Sequence, residues 1–203
     1  METANMENPQ KQSSTFQGKF ALIVGGSGGI GRAVSIELSR RGARLLVHGR
    51  HASERTRGLG LGDCETFDAT FDGPVGFIRA LDVRLGHIGV EPDIVVCAFG
   101  PFLEKPLETC TAEEWEWLTL ANLALPGALA SRFLPGMLGR KYGRFLFFGG
   151  TRTDVIRAYK KTAAYASAKT GLGVLAKSIA EVGAPHDVAA VVVCPGPTET
   201  AYL

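Results

Sequence analysis

The chain has 203 residues, of which 45% are hydrophobic and 21% charged, and its formal net charge is only +2. This length and composition predict one globular domain with a large core, and no apolar run is long enough to cross a bilayer. The small net charge excludes a broad basic surface for nucleic acid or anionic lipid. The four scattered cysteines form no CxxC pair and no zinc-ligand pattern, so we expect no metal site. Because the N-terminus shows no signal-peptide pattern, we expect a cytoplasmic protein.

Residues 1–18 are polar and lack a hydrophobic period, so we expect a flexible tail before a domain over residues 19–203. From Lys19 onward, short apolar runs alternate with longer amphipathic stretches, which is typical of βαβ units around a parallel sheet. The pattern predicts the α/β class: a single doubly wound, Rossmann-like domain with a mostly parallel sheet of about six strands. The stretch His51–Gly62 is too short and glycine-rich for a full crossover helix. The predicted strands are Phe20–Val24, Arg44–Val47, Cys64–Phe67, Ile94–Cys97, Phe145–Phe148 and Val188–Val193, and the predicted helices are Ile30–Arg41, Val75–Leu85, Ala112–Leu138 and Thr162–Val182.

The first predicted strand runs directly into the segment Gly25-Gly26-Ser27-Gly28-Gly29-Ile30-Gly31, which opens a helical stretch. Glycines let the backbone turn tightly and approach a pyrophosphate, while the free N–H groups at a helix start favour its negative charge. A tight turn without a ligand is the alternative. The strand before the turn and the helix after it favour a nucleotide site.

The spacing Gly25-x3-Gly29-x-Gly31 resembles the TGxxxGIG motif of the short-chain dehydrogenase/reductase family, with Val24 in place of the threonine. The resemblance covers Phe20–Leu203 and implies an enzyme that binds a nicotinamide dinucleotide. The residues that it assigns to the cofactor at this turn are Gly25, Ser27, Gly29, Ile30 and Gly31.

The second strand leads to Gly49 and Arg50, where proteins that bind NAD normally carry an acidic residue. An arginine, with Ser27 and Arg32 nearby, instead favours the ribose phosphate of NADP. The alternative for Arg50 is an ordinary solvated arginine. Asp68 resembles the family's aspartate after the third strand, which contacts the adenine, and a helix-capping carboxylate is its alternative. The sequence therefore predicts NADP (NADPH) as the cofactor.

Tyr165 and Lys169 lie four residues apart in a predicted helix and so share one face. A neighbouring ammonium is expected to lower the pKa of the phenol, which suits acid–base chemistry. An aromatic packing residue beside a surface lysine is the alternative. The pair resembles the family's catalytic pair, which implies that Tyr165 exchanges a proton with the substrate and that Lys169 holds the nicotinamide ribose.

Two further segments resemble the family. Asn122 matches a helix asparagine that supports a water-linked proton relay, and a packing or helix-bending residue is the alternative. The last strand is followed by a segment similar to PGxxxT, which lines the nicotinamide in relatives, and a proline-rich turn is the alternative. The residues implied in this segment are Pro195, Gly196, Thr198 and Thr200.

The chain departs from the family pattern in three places. Gly149 and Gly150 stand where serines usually follow the fifth strand, so we predict that Thr151 supplies the catalytic hydroxyl, with Thr153 as second choice. Cys97-Ala98-Phe99-Gly100 replaces the family's NNAG; Gly100 keeps the turn at the cofactor, and Phe99 and Phe102 are expected beside the adenosine or the substrate. Relatives continue beyond the last residue here, so we expect the usual C-terminal lid and seventh strand to be missing.

The resemblance implies an NADP-dependent oxidoreductase that transfers hydride between nicotinamide and a small carbonyl or alcohol substrate. The motifs look most similar to the oxoacyl-carrier-protein reductase branch. The alternative is a catalytically impaired or non-catalytic NADP-binding module, which the glycines at the serine position favour. Relatives are usually homodimers or homotetramers, and we expect the same here, with no nucleic-acid or membrane partner.

Overall fold

Six short apolar segments form one parallel sheet in the computed structural model, which describes residues 15–198. The six predicted strands are confirmed, each within two residues of its predicted bounds. The strands are β1 Phe20–Val24, β2 Arg44–Gly49, β3 Cys64–Asp68, β4 Ile94–Cys97, β5 Gly143–Phe148 and β6 Val188–Val193. The helices are α1 Gly29–Arg40, α2 Ala52–Arg55, α3 Pro74–Ile88, α4 Ala112–Thr119, α5 Leu125–Arg140 and α6 Ala163–Gly183.

The strand order is β3-β2-β1-β4-β5-β6, so the chain changes direction across the sheet at β1. Val24, the last residue of β1, is in register with His48 of β2 and with Cys97 of β4. The loops that leave these three strands therefore meet at one edge of the sheet. In open α/β sheets, ligands bind at such a switch point.

Helices cover both faces of the sheet, which confirms the doubly wound α/β class. Side chains alternate along β1: Leu22 and Val24 join the core under α3, α5 and α6, whereas Ala21 and Ile23 join the core under α1. All four side chains are fully buried. Burial on both faces accounts for the continuous apolar runs that identified the strands.

The long helix predicted over Ala112–Leu138 is interrupted by a π-helical turn, Leu120–Ala124. The N–H of Leu125 bonds to the carbonyl of Leu120, five residues back. Pro126 follows, and since it has no N–H it cannot bond to the carbonyl of Asn122. The turn is consistent with that missing bond and lies at the buried Asn122.

The described residues include the last four of the predicted tail. Residues 15–18 form a turn, in which the N–H of Phe16 bonds to the carbonyl of Arg41 and the Phe16 ring packs on the core under α1. The stretch after β2 contains only the four-residue α2, as its length predicted. Within residues 15–198, no helix has the length and apolar character needed to span a membrane.

Candidate functional site

The glycine turn after β1 is held against β4 and opens α1 without a side-chain cap. Gly25 has φ +80, and a methyl group on it would lie 2.6 Å from the backbone nitrogen of Phe99. A methyl group on Gly31 would overlap the Gly25 carbonyl. The N-cap residue Gly28 makes no capping bond, and the first turn of α1 contains no acidic residue. The uncapped amides are therefore suited to a phosphate group.

Ser27 explains why residue 49 is a glycine. The Ser27 side chain is buried, and its hydroxyl occupies the place that a Cβ on Gly49 would take. An acidic residue at position 49 would displace Ser27 from the turn. Packing against Ser27 therefore accounts for the missing acidic residue at position 49, on which the prediction of NADP partly rests.

His48 connects the glycine turn to β3, and the sequence analysis did not identify this role. The side chain is 2% exposed; its Nδ1 accepts the Gly25 N–H at 3.3 Å, and its Nε2 lies 3.1 Å from the Ala69 carbonyl. An acceptor at Nδ1 requires a neutral ring with the proton on Nε2. Burial lowers the pKa of His48 to about 4, although the Ala69 carbonyl opposes this shift. The sequence signal for this role was a polar side chain, His48, that follows the apolar run of β2.

The pKa of His48 predicts acid sensitivity of the fold. The unfolded chain takes up a proton on this residue near pH 6.5, whereas the folded chain does so near pH 4. The free energy of unfolding is therefore unaffected by protonation of this residue above pH 6.5. It decreases as the pH falls from 6.5 towards 4, by about 3 kcal/mol at most. Replacing His48 with Gln, which cannot be protonated there, is expected to flatten the dependence of the unfolding free energy on pH in this window. Urea denaturation between pH 7 and 4 measures it.

The exposed His87 of α3 provides the control for this measurement. His87→Gln should leave the pH dependence of the wild type unchanged. Equal slopes for His48→Gln and wild type would show that His48 is not held neutral by its surroundings.

A cavity of about 440 Å³ lies at the ends of β2 and β3, where the adenosine end of the cofactor was expected. Arg50 and Asp68 both line it. The Asp68 carboxylate also accepts bonds from the N–H of Ser53, at 2.8 Å, and from the Ser53 hydroxyl, so it caps α2. Burial would raise the pKa of Asp68, but the bonds from Ser53 outweigh it and the pKa is lowered. Asp68 therefore caps a helix, as one of the two sequence interpretations proposed, and it also lines the cavity.

Arg55 is a second residue that the sequence analysis missed. Its guanidinium lies 3.6 Å from the position of a Cβ on Gly28, at the start of α1. Among residues 15–198, neither Arg55 nor Arg50 takes part in an ion pair. Two exposed guanidinium groups therefore remain available next to the glycine turn and the cavity.

The segment after β6 approaches both the glycine turn and the loop after β5. Thr198 lines a second cavity, of about 460 Å³, together with Gly29 and Ile30. The Pro195 carbonyl accepts a bond from the Thr151 hydroxyl at 3.3 Å, and the Gly196 carbonyl accepts one from Thr198 at 3.1 Å. Thr200 lies outside the described residues.

Asn122 and Lys169 meet at Gly100, and Lys169 also approaches Tyr165. The Lys169 ammonium lies 5.7 Å from the centre of the Tyr165 ring. A methyl group on Gly100 would overlap Asn122 Oδ1 and lie 2.8 Å from Lys169 Nζ. Asn122 donates from Nδ2 to the Pro101 carbonyl at 3.0 Å, but its buried Oδ1 has no partner among the described residues.

Burial determines the protonation of this cluster. It raises the pKa of Tyr165, with a smaller contribution from Cys194. It lowers the pKa of Lys169, against the opposing effect of Cys97 and Cys194. The direction for Tyr165 is the reverse of the one expected from the ammonium, because desolvation of the half-buried phenol dominates its pKa. Tyr165 thus keeps its proton at neutral pH.

Gly150, rather than a hydroxyl-bearing residue, lies against the phenol. A methyl group on Gly150 would be 2.8 Å from Tyr165 Cε1 and 3.2 Å from its oxygen. The buried Thr153 hydroxyl accepts the Gly150 N–H at 2.8 Å, and no hydrogen bond joins Thr151 or Thr153 to Tyr165 among the described residues. On the other side, the exposed Phe102 packs edge-on against Tyr165, with ring centres 5.0 Å apart. Phe99 instead turns towards Phe71.

The chain is similar to known proteins in sequence and in fold. The family model described as Enoyl-(Acyl carrier protein) reductase matches residues 25–203. The 3-oxoacyl-[acyl-carrier-protein] reductase of Escherichia coli (strain K12) is 31% identical over 195 residues, which cover 91% of this chain and 75% of the relative. A metagenomic short-chain oxidoreductase solved with NADP has a TM-score of 0.80 at 28% identity, covering 91% of this chain and 85% of its own. A 3-oxoacyl-[acyl-carrier protein] reductase from Brucella melitensis, solved with NAD, has the same fold: its TM-score is 0.83 at 21% identity, with 99% and 79% of the chains covered.

Proposed function

This chain belongs to the short-chain dehydrogenase/reductase family, and from that premise we propose that it is an NADP-dependent oxidoreductase acting on a carbonyl or alcohol carbon. The observation that carries the proposal is the placement of Lys169 between Tyr165, whose ring centre is 5.7 Å from the ammonium, and Asn122, which it meets at Gly100. These residues lie at the sheet edge that also bears the uncapped start of α1.

The residues present fit a nicotinamide dinucleotide. The amides at the start of α1 have no side-chain cap, and Asn122 Oδ1 is buried without a partner among the described residues. Within residues 15–198, the Lys169 ammonium donates no hydrogen bond. Phosphate and hydroxyl groups are suitable partners for these atoms. We assign the phosphates to the Gly25–Gly31 turn, the adenosine to the Arg50 and Asp68 cavity, and the nicotinamide half to Gly100, Lys169 and the Pro195–Thr198 segment. When bound, NADPH supplies the hydride.

Tyr165 is the proton donor in this proposal. Its raised pKa keeps the phenol protonated at neutral pH, so it can give a proton to a carbonyl oxygen as the carbonyl carbon gains a hydride. The product is an alcohol, and the same group in its ionised form would accept the proton in the reverse direction. The unpartnered Asn122 oxygen and the Lys169 ammonium, both close to Gly100, are placed to return a proton to Tyr165 through water.

A preference for NADPH over NADH is the first test. We expect NADPH to bind at least ten times more tightly, because the 2′-phosphate adds charge-assisted bonds to Arg50 and Arg55. Replacing either arginine with alanine should reduce that ratio several-fold and leave NADH affinity unchanged. Emission of Trp117 can follow the titrations, since its ring lies 5.5 Å from Phe71, a neighbour of the cavity residue Phe77.

The exposed Lys177 of α6 serves as the control, because Lys177→Ala removes a cation far along the helix from Lys169. This variant should keep the nucleotide preference of the wild type. If Arg50→Ala and Arg55→Ala both retain the full ratio, the assignment of NADP loses its support. The consumption of NADPH with a panel of aldehydes and ketones then tests the activity itself.

A non-catalytic NADP-binding module is the second candidate, and the glycine beside the phenol favours it. A missing hydrogen bond to a developing oxyanion can cost on the order of a hundredfold in rate. Gly150 supplies no such bond from a side chain. NADPH binding without oxidation by any carbonyl compound would support the module.

We also propose that the chain forms a homodimer or homotetramer through α5 and α6. Val174 and Val182 of α6 are 71% and 53% exposed, so this helix presents large apolar side chains to solvent. Contact with another subunit would cover them.

A further inference from the structure

The loop between β5 and α6, residues 149–162, concentrates positive charge beside Tyr165. It carries four cationic side chains and one carboxylate, whereas the whole chain has a net charge of only +2. Within the described residues, the only ion pair in this loop joins Lys161 to Glu104, at 3.7 Å. The charged residues, all exposed, are Arg152, Asp154, Arg157, Lys160 and Lys161.

The loop begins at the phenol. Tyr165 lies between Phe102 on one side and Gly150 on the other, so a substrate that reaches its hydroxyl must pass the start of this loop. Arg152 follows Gly150 by two residues, which span at most about 7 Å of backbone. A guanidinium carried at this position can therefore reach a group attached close to the reacting carbonyl.

The backbone at Arg152 is held in a conformation that favours glycine. Its φ is +61, and only three non-glycine residues within 15–198 have a positive φ. The Tyr159 hydroxyl donates to the Arg152 carbonyl at 2.6 Å, and the neighbouring Thr153 is buried and bonded to Gly150. These bonds fix the backbone that carries the exposed Arg152 side chain, two residues after Gly150.

We propose that the natural substrate carries an anionic group, a carboxylate or a phosphate, near its carbonyl, and that Arg152 binds it. This inference rests on the proposed function and specifies its substrate class. A guanidinium binds either anion through two parallel hydrogen bonds, and the unpaired cations of the same loop add attraction at longer range.

Acetoacetate and methyl acetoacetate are the probes, because both contain a ketone and only the first is charged. The wild type should reduce acetoacetate with a kcat/KM at least tenfold higher, and added salt should shrink this advantage. Arg152→Gly should bring the two probes to within about twofold by raising the KM for acetoacetate alone. The same variant should have a higher melting temperature, since it removes the strain.

Lys141 provides the matched control. It is an exposed cation with φ +53 at the end of α5, at the opposite edge of the sheet. Lys141→Gly should also raise the melting temperature but leave both KM values unchanged. Arg152→Lys, which keeps the charge but not the two parallel guanidinium bonds, should retain part of the preference for acetoacetate without the gain in stability.

The inference is overturned if the wild type does not distinguish the probes, or if Arg152→Gly keeps the preference. Should neither probe be reduced, calorimetric titration of acetoacetate into the wild type and Arg152→Gly decides the matter: equal affinities overturn the assignment of Arg152. Failure of the proposed function gives a different result, namely no NADPH binding or no carbonyl reduction, whatever residue occupies position 152.

Discussion

Replacing Tyr165 with phenylalanine is expected to reduce kcat by 10²- to 10⁴-fold while leaving the dissociation constant of NADPH within about threefold of the wild type. The substitution keeps the ring that packs on Phe102 and Gly150 and removes only the hydroxyl. General acid catalysis by a positioned side chain is worth about 10²- to 10⁴-fold in rate. Stopped-flow or steady-state kinetics of NADPH consumption with the best carbonyl compound measure kcat, and nucleotide titration measures the dissociation constant.

Tyr142 offers a control for the loss of a phenol. It lies just before β5, at the opposite edge of the sheet, where Lys19 stacks on its ring at 3.6 Å. Tyr142→Phe should keep both kcat and NADPH affinity. A Tyr165→Phe variant that keeps more than a tenth of the wild-type kcat would remove Tyr165 from the role of proton donor.

The protonation state of Tyr165 determines which direction of the reaction is favoured at a given pH. Burial raises the pKa of the phenol, so the group is ready to donate at neutral pH and would have to ionise before it could accept. Carbonyl reduction is therefore favoured at neutral pH, and alcohol oxidation should increase as the pH rises towards the raised pKa of Tyr165. The same burial lowers the pKa of Lys169, so the pair moves towards a neutral phenol beside a more acidic ammonium.

The sheet was predictable because burial on both faces leaves a simple record in the sequence. β1 and β4 are uninterrupted apolar runs that are buried throughout, whereas the edge strand β3 carries Glu65, Thr66 and Asp68 and is only partly buried. A π-helical turn leaves no such record, since its apolar spacing differs by a fraction of a residue from that of an α-helix. Pro126 was a visible signal, but it also occurs at ordinary helix starts.

The site was predictable where a motif fixes the backbone and unpredictable where side chains arrive from a distance. The glycine turn and the Tyr165–Lys169 spacing define their own geometry locally. Arg55 reaches Gly28 from a four-residue helix that has no hydrophobic period, so nothing in the sequence relates the two. Thr151 and Thr153 could not be separated by counting, because the length of the loop before Tyr165 does not show which residue is buried; the structure buries Thr153 and leaves Thr151 exposed.

Gly100 is the residue at which the smallest chemical change should have a large effect, because its missing side chain makes room for two polar groups. Its φ is not positive, so the alanine backbone is unstrained there, and the nearest atoms to the added methyl group would be Asn122 Oδ1 and Lys169 Nζ. Because Asn122 is fully buried and hydrogen-bonded to the Pro101 carbonyl, the methyl group should displace the Asn122–Lys169 pair and also lower the melting temperature.

We therefore expect Gly100→Ala to remain folded with a lower melting temperature and to lose about 10²-fold or more in kcat, the scale of a disrupted proton-transfer group. Gly173 lies one helical turn after Lys169 in α6, with open space around its Cα, so Gly173→Ala should raise stability by about 0.5–1 kcal/mol and keep full activity. Measuring kcat and the melting temperature of both variants shows whether Asn122 and Lys169 only pack at Gly100 or also take part in the reaction there. If Gly100→Ala retains kcat within threefold of the wild type, Asn122 and Lys169 pack there without sharing in proton transfer; if kcat falls while Gly173→Ala keeps it, the open volume at Gly100 is part of the reaction site.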